Sequence, residues 1–332
     1  MEALVFFLNK AVFAGLVIGS IYALGAIGVT LVFGILRFAH FAHGDIMTFG
    51  AFATLVLAGL LSAAGVTSPI PLVLLTMPVA MVLTALFAIG LDKLFYKPLR
   101  ERNATTMIIV ITSLGVTLII QGVLRLFAGV GTRNMFFDQP KDIYRIPFPG
   151  SQRGLTLTEP QIILFAVMIV AVIALHYFLT RSRLGKAMRA VSDNPDLARV
   201  TGINLNHVVI ATWVIGGGLA CAAGSLLSMD VILKPDLSYN LLLPIFAATI
   251  VGGIGQPYGA VAGGFLVGFS ETLAIFNWSI LLRPLNNWLP EALQLPNDLA
   301  LVPTEYKLMV PFIILIIVLV YRPTGIFKGR VL

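Results

Sequence analysis

Residues 180–206 read TRSRLGKAMRAVSDNPDLARVTGINLN and form a polar, basic interruption between two apolar runs. The charged residues of this stretch are Arg181, Arg183, Lys186, Arg189 and Arg199 against Asp193 and Asp196. Each flanking run is long enough to cross a bilayer as a helix. The stretch is therefore predicted to lie at a membrane surface, where a water-soluble protein can dock on it. The alternative is a solvated loop whose positive charge only fixes the topology.

The first half of the stretch has the pattern of a short amphipathic helix. Leu184, Met188 and Val191 recur at helical spacing, while the basic residues occupy the other sides. The sequence therefore predicts a helix over 184–191 with one apolar face and basic residues on its other sides.

The second half has the signals of another short helix. Asn194 is a favourable N-cap, and Pro195 suits the first helical position, where its missing N–H costs nothing. Asp196 suits the positive helix start, and Gly202 suits the left-handed conformation that ends a helix. Two small helices joined by a defined corner are predicted.

The composition of the whole chain is that of an integral membrane protein. Of its 332 residues 58% are hydrophobic and 11% are charged, whereas soluble domains have about 25% charged residues. The apolar runs are too long for the alternating strands of a membrane β-barrel, so helices are predicted. The net charge of +7 does not indicate a nucleic-acid partner, because the basic residues lie in short loops beside apolar runs. Cys221 is the single cysteine, which excludes an internal disulfide or a cysteine-based metal site.

The apolar runs predict an all-α fold with about eight to ten transmembrane helices in one domain over residues 1–332. The runs are 11–36, 46–64, 71–95, 105–128, 160–179, 207–228, 241–255, 258–281 and 307–321. The seventh run is short, and a break is predicted in GGIGQPYGA at 252–260, since Gly252, Gly253 and Gly255 do not favour a continuous helix. The first run is too long for a cleaved signal sequence and is expected to remain as a span.

The basic residues predict the orientation in the membrane. They concentrate in alternate connections, and these are expected to be cytoplasmic. The N-terminus is then periplasmic and the C-terminus cytoplasmic, with 180–206 as a cytoplasmic loop and 129–159 and 283–306 as periplasmic loops. Glycines four residues apart, in the pairs Gly15 with Gly19 and Gly264 with Gly268, predict faces where helix backbones approach closely.

Few residues offer chemistry within the spans. Glu271 is the one ionisable residue predicted well inside a span, which argues against ion-coupled transport. The chain has no phosphate-binding loop, so any ATP would be bound by another chain. His40, His43 and Asp45 have the spacing H-x-x-H-x-D and resemble a metal or proton-relay cluster, but this spacing is not a standard ligand set and no further ligand is evident. A structural role at a cytoplasmic corner is predicted instead, with Gly44 in the turn, Asp45 capping the next helix and His43 bonding to loop backbone. No paired nucleophile and base is evident, and no catalytic residue is predicted.

Four blocks of the chain, in order, resemble one known family. They are FAHFAHGDIMTFGAF at 38–52, LGKAMRAVSDNPDLARVTGIN at 184–204, IVGGIGQPYGAVAGGFLVG at 250–268 and YRPTGIFKG at 321–329. These resemble the membrane permease subunits of branched-chain amino acid ABC importers, and YKPLRERNATTMIIVITSLGVTLIIQ at 96–121 is similar to the shorter, H-type permease. His40 stands where the family has asparagine, so the role of that position does not transfer.

The resemblance implies a multi-pass protein of the bacterial inner membrane that is not itself an enzyme. Its implied partners are a homologous M-type permease that completes the pore, two cytoplasmic ATPase subunits that carry ATP and magnesium, and a periplasmic binding protein. No cofactor is expected on this chain. The family's coupling helix corresponds to the residues Arg183, Leu184, Lys186, Met188, Arg189, Val191, Asn194, Pro195 and Asp196.

Ser20, Tyr22 and Thr30 are the hydroxyl residues expected to line the pore, and Gly252, Gly253 and Gly255 are expected to shape it. The expected solutes are branched-chain or other hydrophobic amino acids. The same machinery in relatives carries urea, short amides or aromatic acids, and the residues do not separate these. An ion-coupled carrier and a structural or lipid-scrambling membrane protein are the alternatives, but neither has an evident use for the predicted pair of helices at 184–202.

Overall fold

The computed structural model describes residues 1–66, 68, 70–137, 141–151, 154–283 and 296–327. Its α-helices, in chain order, are α1 Glu2–Phe7, α2 Ala14–Leu36, α3 His43–Ala63, α4 Leu72–Leu91, α5 Lys97–Glu101, α6 Thr106–Ala128, α7 Glu159–Arg181, α8 Arg183–Asp193, α9 Pro195–Val200, α10 Leu205–Asp230, α11 Tyr239–Gly252, α12 Pro257–Ile275, α13 Ser279–Leu282 and α14 Met309–Tyr321. The π-helical segments Leu8–Phe13 and Asp92–Tyr96 join α1 to α2 and α4 to α5, and a 3-10 turn, Thr304–Tyr306, precedes α14. β1 Ile143–Ile146 and β2 Leu155–Thr158 pair antiparallel, with Ile143 opposite Thr158.

Within the described residues, seven helical stretches are long and apolar enough to cross a membrane, and α11 and α14 are shorter apolar helices. Each of the nine predicted runs therefore has a helix, and the expectation of an all-helical membrane fold is confirmed. The eighth run ends earlier than predicted, because the chain becomes extended at Phe276 after α12. Residues 138–140 and 152–153 of the first predicted outer loop, 284–295 of the second, and Lys328 and Gly329 of the terminal motif lie outside the described residues.

The centre of the bundle is the contact between α2 and α12, where glycines let the backbones touch. A Cβ at Gly264 would lie 2.5 Å from the backbone nitrogen of Ala23, and a Cβ at Gly268 would lie 2.5 Å from that of Gly19. Real Cβ atoms do not approach so closely, so only glycine fits at 264 and 268. The predicted role of these glycines in close helix packing is confirmed.

A second close contact joins α10 to α3 and α4. A Cβ at Gly50 would lie 2.5 Å from the Cα of Cys221, and one at Gly217 would lie 3.2 Å from the Cα of Ala85. The hydroxyls of Thr54 and Ser225 lie 2.7 Å apart in this contact and are buried. α2 and α10 are thus surrounded by protein, whereas α6 and α7 expose most of their apolar side chains.

The connection from α2 to α3, residues 37–42, folds back into the bundle and is called the buried corner. α2 ends where Arg37 adopts the left-handed conformation with φ 62°. Phe38, His40 and Ala42 are then buried, and α3 begins at His43 against Gly28, whose Cβ would lie 2.5 Å from the His43 ring. At about 1.5 Å of rise per residue, Gly28 is roughly 12 Å from the Leu36 end of α2. The predicted corner is therefore present, but its side chains are packed inside the bundle and not on a surface. Its place on the cytoplasmic side stays a prediction.

Candidate functional site

The predicted pair of short helices is present as α8 and α9. The Ser182 hydroxyl accepts a hydrogen bond from the Gly185 N–H at 2.8 Å and caps α8. The Asn194 side-chain oxygen accepts from the N–H groups of Asp196 at 3.1 Å and Leu197 at 3.0 Å, and Pro195 is the first residue of α9. The predicted N-cap at Asn194 is therefore confirmed. So is the helix end, since Gly202 has φ 86°.

α8 has one buried face and one exposed basic face. Gly185, Met188 and Val191 are buried, while the basic residues Arg183, Lys186, Arg189 and Arg199 of the two helices are exposed. Leu184 was predicted on the apolar face, but its side chain is 36% exposed. The buried position is taken by Gly185, because α8 lies so close to α7 that a Cβ at 185 would overlap the carbonyl oxygen of Phe178.

The exposed surface of α8 and α9 also carries apolar side chains that the sequence pattern did not single out. Leu197 is 62% exposed and Val200 is 84% exposed. Exposed apolar side chains among basic residues are typical of a surface that contacts another protein. Both residues belong to the six-residue helix α9, whose buried residue is Ala198.

α8 packs against α7, α10 and α2, and its Ser192 lies beside Gly255 in the connection between α11 and α12. Ser192 packs against the α2 backbone, since a Cβ at Gly34 would lie 3.1 Å from its hydroxyl. A cleft of about 260 Å³ separates these elements and is lined by residues that include Thr30, Arg189 and Gly255. The end of the bundle that carries this cleft is called the α8 end. A displacement of α8 would therefore act directly on α2 and on the connection between α11 and α12.

That connection, residues 252–256, is called the glycine corner, and it contains the predicted break. α11 ends at Gly252, and Gly253 and Gly255 have φ values of 111° and 82°, which favour glycine. The Gly255 N–H donates to the Thr30 hydroxyl at 2.9 Å. The chain after α14 adds the hydrogen bond from Ile326 N–H to the Val251 carbonyl at 2.9 Å. The corner is therefore tied to α2 and to the C-terminal segment.

An aromatic cluster holds the buried corner in place. His40 Nε2 lies 3.0 Å from the Tyr96 hydroxyl, and the Tyr96 ring stacks on Trp213 with centroids 5.7 Å apart. The Phe41 N–H donates to the Ser113 hydroxyl at 3.2 Å. Helices α6 and α10 and the segment after α4 thus contribute to the corner. Sequence reasoning missed these partners because they lie far apart along the chain.

His43 and Asp45 lie inside the bundle and not in a loop. His43 is the first residue of α3 and donates to the backbone carbonyl of Gly25 on α2, so the predicted bond to loop backbone is wrong. Asp45 was predicted to cap α3, but no side chain caps this helix. Its Oδ1 instead accepts from Gln121 Nε2 at 3.0 Å, because the first turn of α3 faces α6. Gly44 packs against the Ser238 carbonyl, where a Cβ would lie 2.8 Å away.

Tyr22 and Glu271 form a buried polar pair between α2 and α12. The Tyr22 hydroxyl donates to Glu271 Oε2 at 2.7 Å, and Lys307 Nζ lies 3.9 Å from Glu271 Oε1. Ser20 is also buried, and its hydroxyl has no hydrogen-bond partner among the described residues. Ser20, Tyr22 and Thr30 are therefore enclosed by this chain, and their expected place in a pore stays a prediction.

Replacing Tyr22 by phenylalanine is expected to lower the stability of the folded chain. The substitution removes the hydroxyl that donates a hydrogen bond to the buried Glu271 side chain. The free energy of unfolding is expected to fall by about 1–2 kcal/mol. Thermal unfolding of the purified protein in detergent measures this as a lower Tm. Tyr177→Phe, on the exposed face of α7, is the matched control, and an equal Tm for both variants would contradict a stabilising role of the pair.

Comparisons with known proteins agree with the helical membrane architecture. Residues 11–319 match the model of the family described as the permease component of branched-chain amino acid transport systems. The high-affinity branched-chain amino acid permease BraD of Pseudomonas aeruginosa is 30% identical over 324 residues, which cover 95% of this chain and 94% of BraD.

Two further relatives come from other organisms. LivH of Escherichia coli K12, a high-affinity branched-chain amino acid permease, is 30% identical over 333 residues, covering 99% of this chain and 97% of LivH. A probable branched-chain amino acid permease LivH of Methanocaldococcus jannaschii is 30% identical over 272 residues, covering 81% of this chain and 82% of the relative. With its apolar helices and the family match over most of its length, this multi-pass membrane protein belongs to the family of permease components of branched-chain amino acid transport systems.

Proposed function

We propose that this chain forms one half of the translocation path of an ATP-driven importer of branched-chain or other hydrophobic amino acids. A homologous permease supplies the other half, two cytoplasmic ATPase subunits supply the energy, and a periplasmic binding protein delivers the solute. The chain lies in the bacterial inner membrane with the α8 end in the cytoplasm. The family match and the curated relatives support this proposal at the level of a transport permease.

The coupling part of the proposal rests on one observation: α8 has an exposed basic face and a buried face that packs against the bundle. Its basic face is exposed and free of internal ion pairs among the described residues. Its other face is anchored by Gly185 and Met188 and presses Ser192 against α2. A soluble ATPase that docks on α8 and α9 therefore has a short mechanical route into the bundle.

Switching between two openings of the path requires contacts that differ between two states. The cleft beside Arg189 lies between α8, α2 and the glycine corner, so closing or widening it changes the contacts of all three. In this scheme ATP binding moves the ATPases together, and α8 transmits the displacement to α2 and α12. Because α2 and α12 touch through glycines, they respond as one unit.

The test is uptake into proteoliposomes that contain this chain with its companion permease, ATPases and binding protein. Labelled leucine, urea and benzoate are compared with and without ATP. Leucine uptake that requires both ATP and the binding protein is the expected result. Uptake of urea or benzoate alone would reject amino acids as the solute. Uptake that follows an ion gradient without ATP would reject the ATP-driven mechanism.

A further inference from the structure

Helices α4, α7 and α10 enclose an apolar groove, which is called the α7 groove. Its volume is about 570 Å³, and every described residue that lines it is apolar or glycine. Small residues create the space: α7 contributes Ala166, Ala171 and Ala174, and α10 contributes Gly218 and Ala222. The volume falls within the range of about 300–1,000 Å³ that is typical of ligand pockets.

The α7 groove opens sideways at membrane depth. Val170 on α7 is 65% exposed and Val214 on α10 is 43% exposed, and both line the groove. Both helices belong to stretches that are long and apolar enough to cross a membrane. A purely apolar cavity stays dry, so water does not fill the groove. A zwitterionic solute would lose its hydrogen bonds to water there and gain none. The occupant is therefore apolar.

The dimensions of the α7 groove select among apolar occupants. On α7 its lining runs from Ala166 to Phe178, which is about 18 Å at a helical rise of about 1.5 Å per residue. The volume divided by this length gives a cross-section of about 30 Å², or a width of about 6 Å, whereas a helix with its side chains is about 10–12 Å across. One leaflet is half of a hydrocarbon core of about 30 Å, so its depth is about 15 Å. The groove therefore has the width and length of a single acyl chain and is too narrow for a helix.

The α8 end of the α7 groove carries a positive charge. Ala171, Ala174 and Phe178 line the groove at helical spacing. Arg181 is next on the same side of α7, about one turn beyond Phe178. Its side chain is exposed and forms no ion pair among the described residues. A lipid whose chain fills the groove from this end holds its phosphate beside Arg181, and this charge favours an anionic headgroup.

We propose that the α7 groove binds one acyl chain of an anionic phospholipid from the leaflet at the α8 end, with the lipid phosphate at Arg181. α7 ends at Arg181 and α8 begins at Arg183, so only Ser182 separates the two helices. A lipid that holds α7 against α10 therefore also holds the start of α8. The binding site itself does not depend on the proposed function.

Native mass spectrometry of the purified chain with added phosphatidylglycerol measures binding at the α7 groove. Ala171→Phe with Ala174→Phe fills the groove, and the affinity for phosphatidylglycerol is expected to fall about tenfold or more, since each buried CH₂ contributes about fourfold. Arg181→Gln leaves the groove open. Its affinity for phosphatidylglycerol is expected to fall about fivefold, while its affinity for the zwitterionic phosphatidylcholine stays unchanged.

Two matched controls use exposed residues that do not line the α7 groove. Ile169→Phe with Ile173→Phe adds rings elsewhere on α7, and Arg102→Gln removes the same charge at another position. Both controls should bind phosphatidylglycerol as the unsubstituted chain does. Unchanged affinity in the filled variant would overturn the groove as the site. An unchanged preference for phosphatidylglycerol over phosphatidylcholine in Arg181→Gln would overturn the assignment of the headgroup.

The assembled complex tests whether a protein segment covers the α7 groove instead. A photoreactive amino acid at position 174 is expected to crosslink to phospholipid in liposomes that contain phosphatidylglycerol. A crosslink to the companion permease in place of lipid would overturn the proposal. Neither experiment measures transport, so a failure of the lipid site is distinguishable from a failure of the importer function.

Discussion

The variant Arg183→Glu with Arg189→Glu is expected to insert and fold normally but to lose its ATPase subunits. Both side chains are exposed on α8, and no ion pair among the described residues involves either. The substitutions therefore break no described ion pair within the chain. Each one turns a cation at the docking surface into an anion, so an attraction becomes a repulsion. Association is expected to weaken by about a hundredfold or more.

Co-purification of the ATPase with the tagged permease measures this effect, and uptake in proteoliposomes should be lost with it. The control is Lys93→Glu with Arg102→Glu, which makes the same change of charge at two exposed residues near the same end of the bundle. The control complex should stay intact. Normal ATPase recovery with the α8 variant would remove α8 from the coupling role.

Leucine at positions 264 and 268 is expected to prevent α2 and α12 from packing. Both sites face the α2 backbone so closely that even a Cβ would clash with Ala23 or Gly19. The helices would have to separate along the centre of the bundle, at a cost of about 3 kcal/mol or more per site. Little folded protein should remain after extraction in detergent.

Size-exclusion chromatography and thermal unfolding measure the loss of folded protein. The control is Gly90→Leu on α4, where a Cβ would meet nothing within 4 Å. Leucine also favours the helix over glycine, so the control should be at least as stable as the unsubstituted chain. A monodisperse Gly264→Leu and Gly268→Leu variant with an unchanged Tm would show that this contact does not hold the fold together.

The elements that sequence reasoning predicted correctly depend on neighbouring residues. Asn194, Pro195 and Gly202 specify the start and end of α9 through local hydrogen bonds and backbone preference, so their roles can be read without the rest of the fold. Apolar runs and glycines spaced by four are also local patterns. They predicted where the long apolar helices lie and which faces pack closely, but not which helix each face would meet.

The elements that sequence reasoning missed depend on distant residues. The buried corner has its position because Tyr96, Ser113 and Trp213 surround it, and nothing near His40 indicates them. Asp45 was assigned as a helix cap because it lies near the start of α3. Its actual partner, Gln121, lies on another helix and could not be identified from the neighbouring residues. Leu184 was assigned to the buried face because the pattern did not reveal how closely α8 approaches α7.

The buried corner also has a consequence for the order of events during synthesis. Residues 37–42 leave the ribosome before all three of their partners: Tyr96, Ser113 and Trp213. Until α10 has been made, the ring of His40 lacks the indole against which it packs, and a nascent α2–α3 hairpin cannot hold the corner at its final depth. Insertion of the early helices and completion of their fold are therefore separate steps, and a chain truncated before residue 213 should leave this segment open to proteases that cannot reach it in the finished protein.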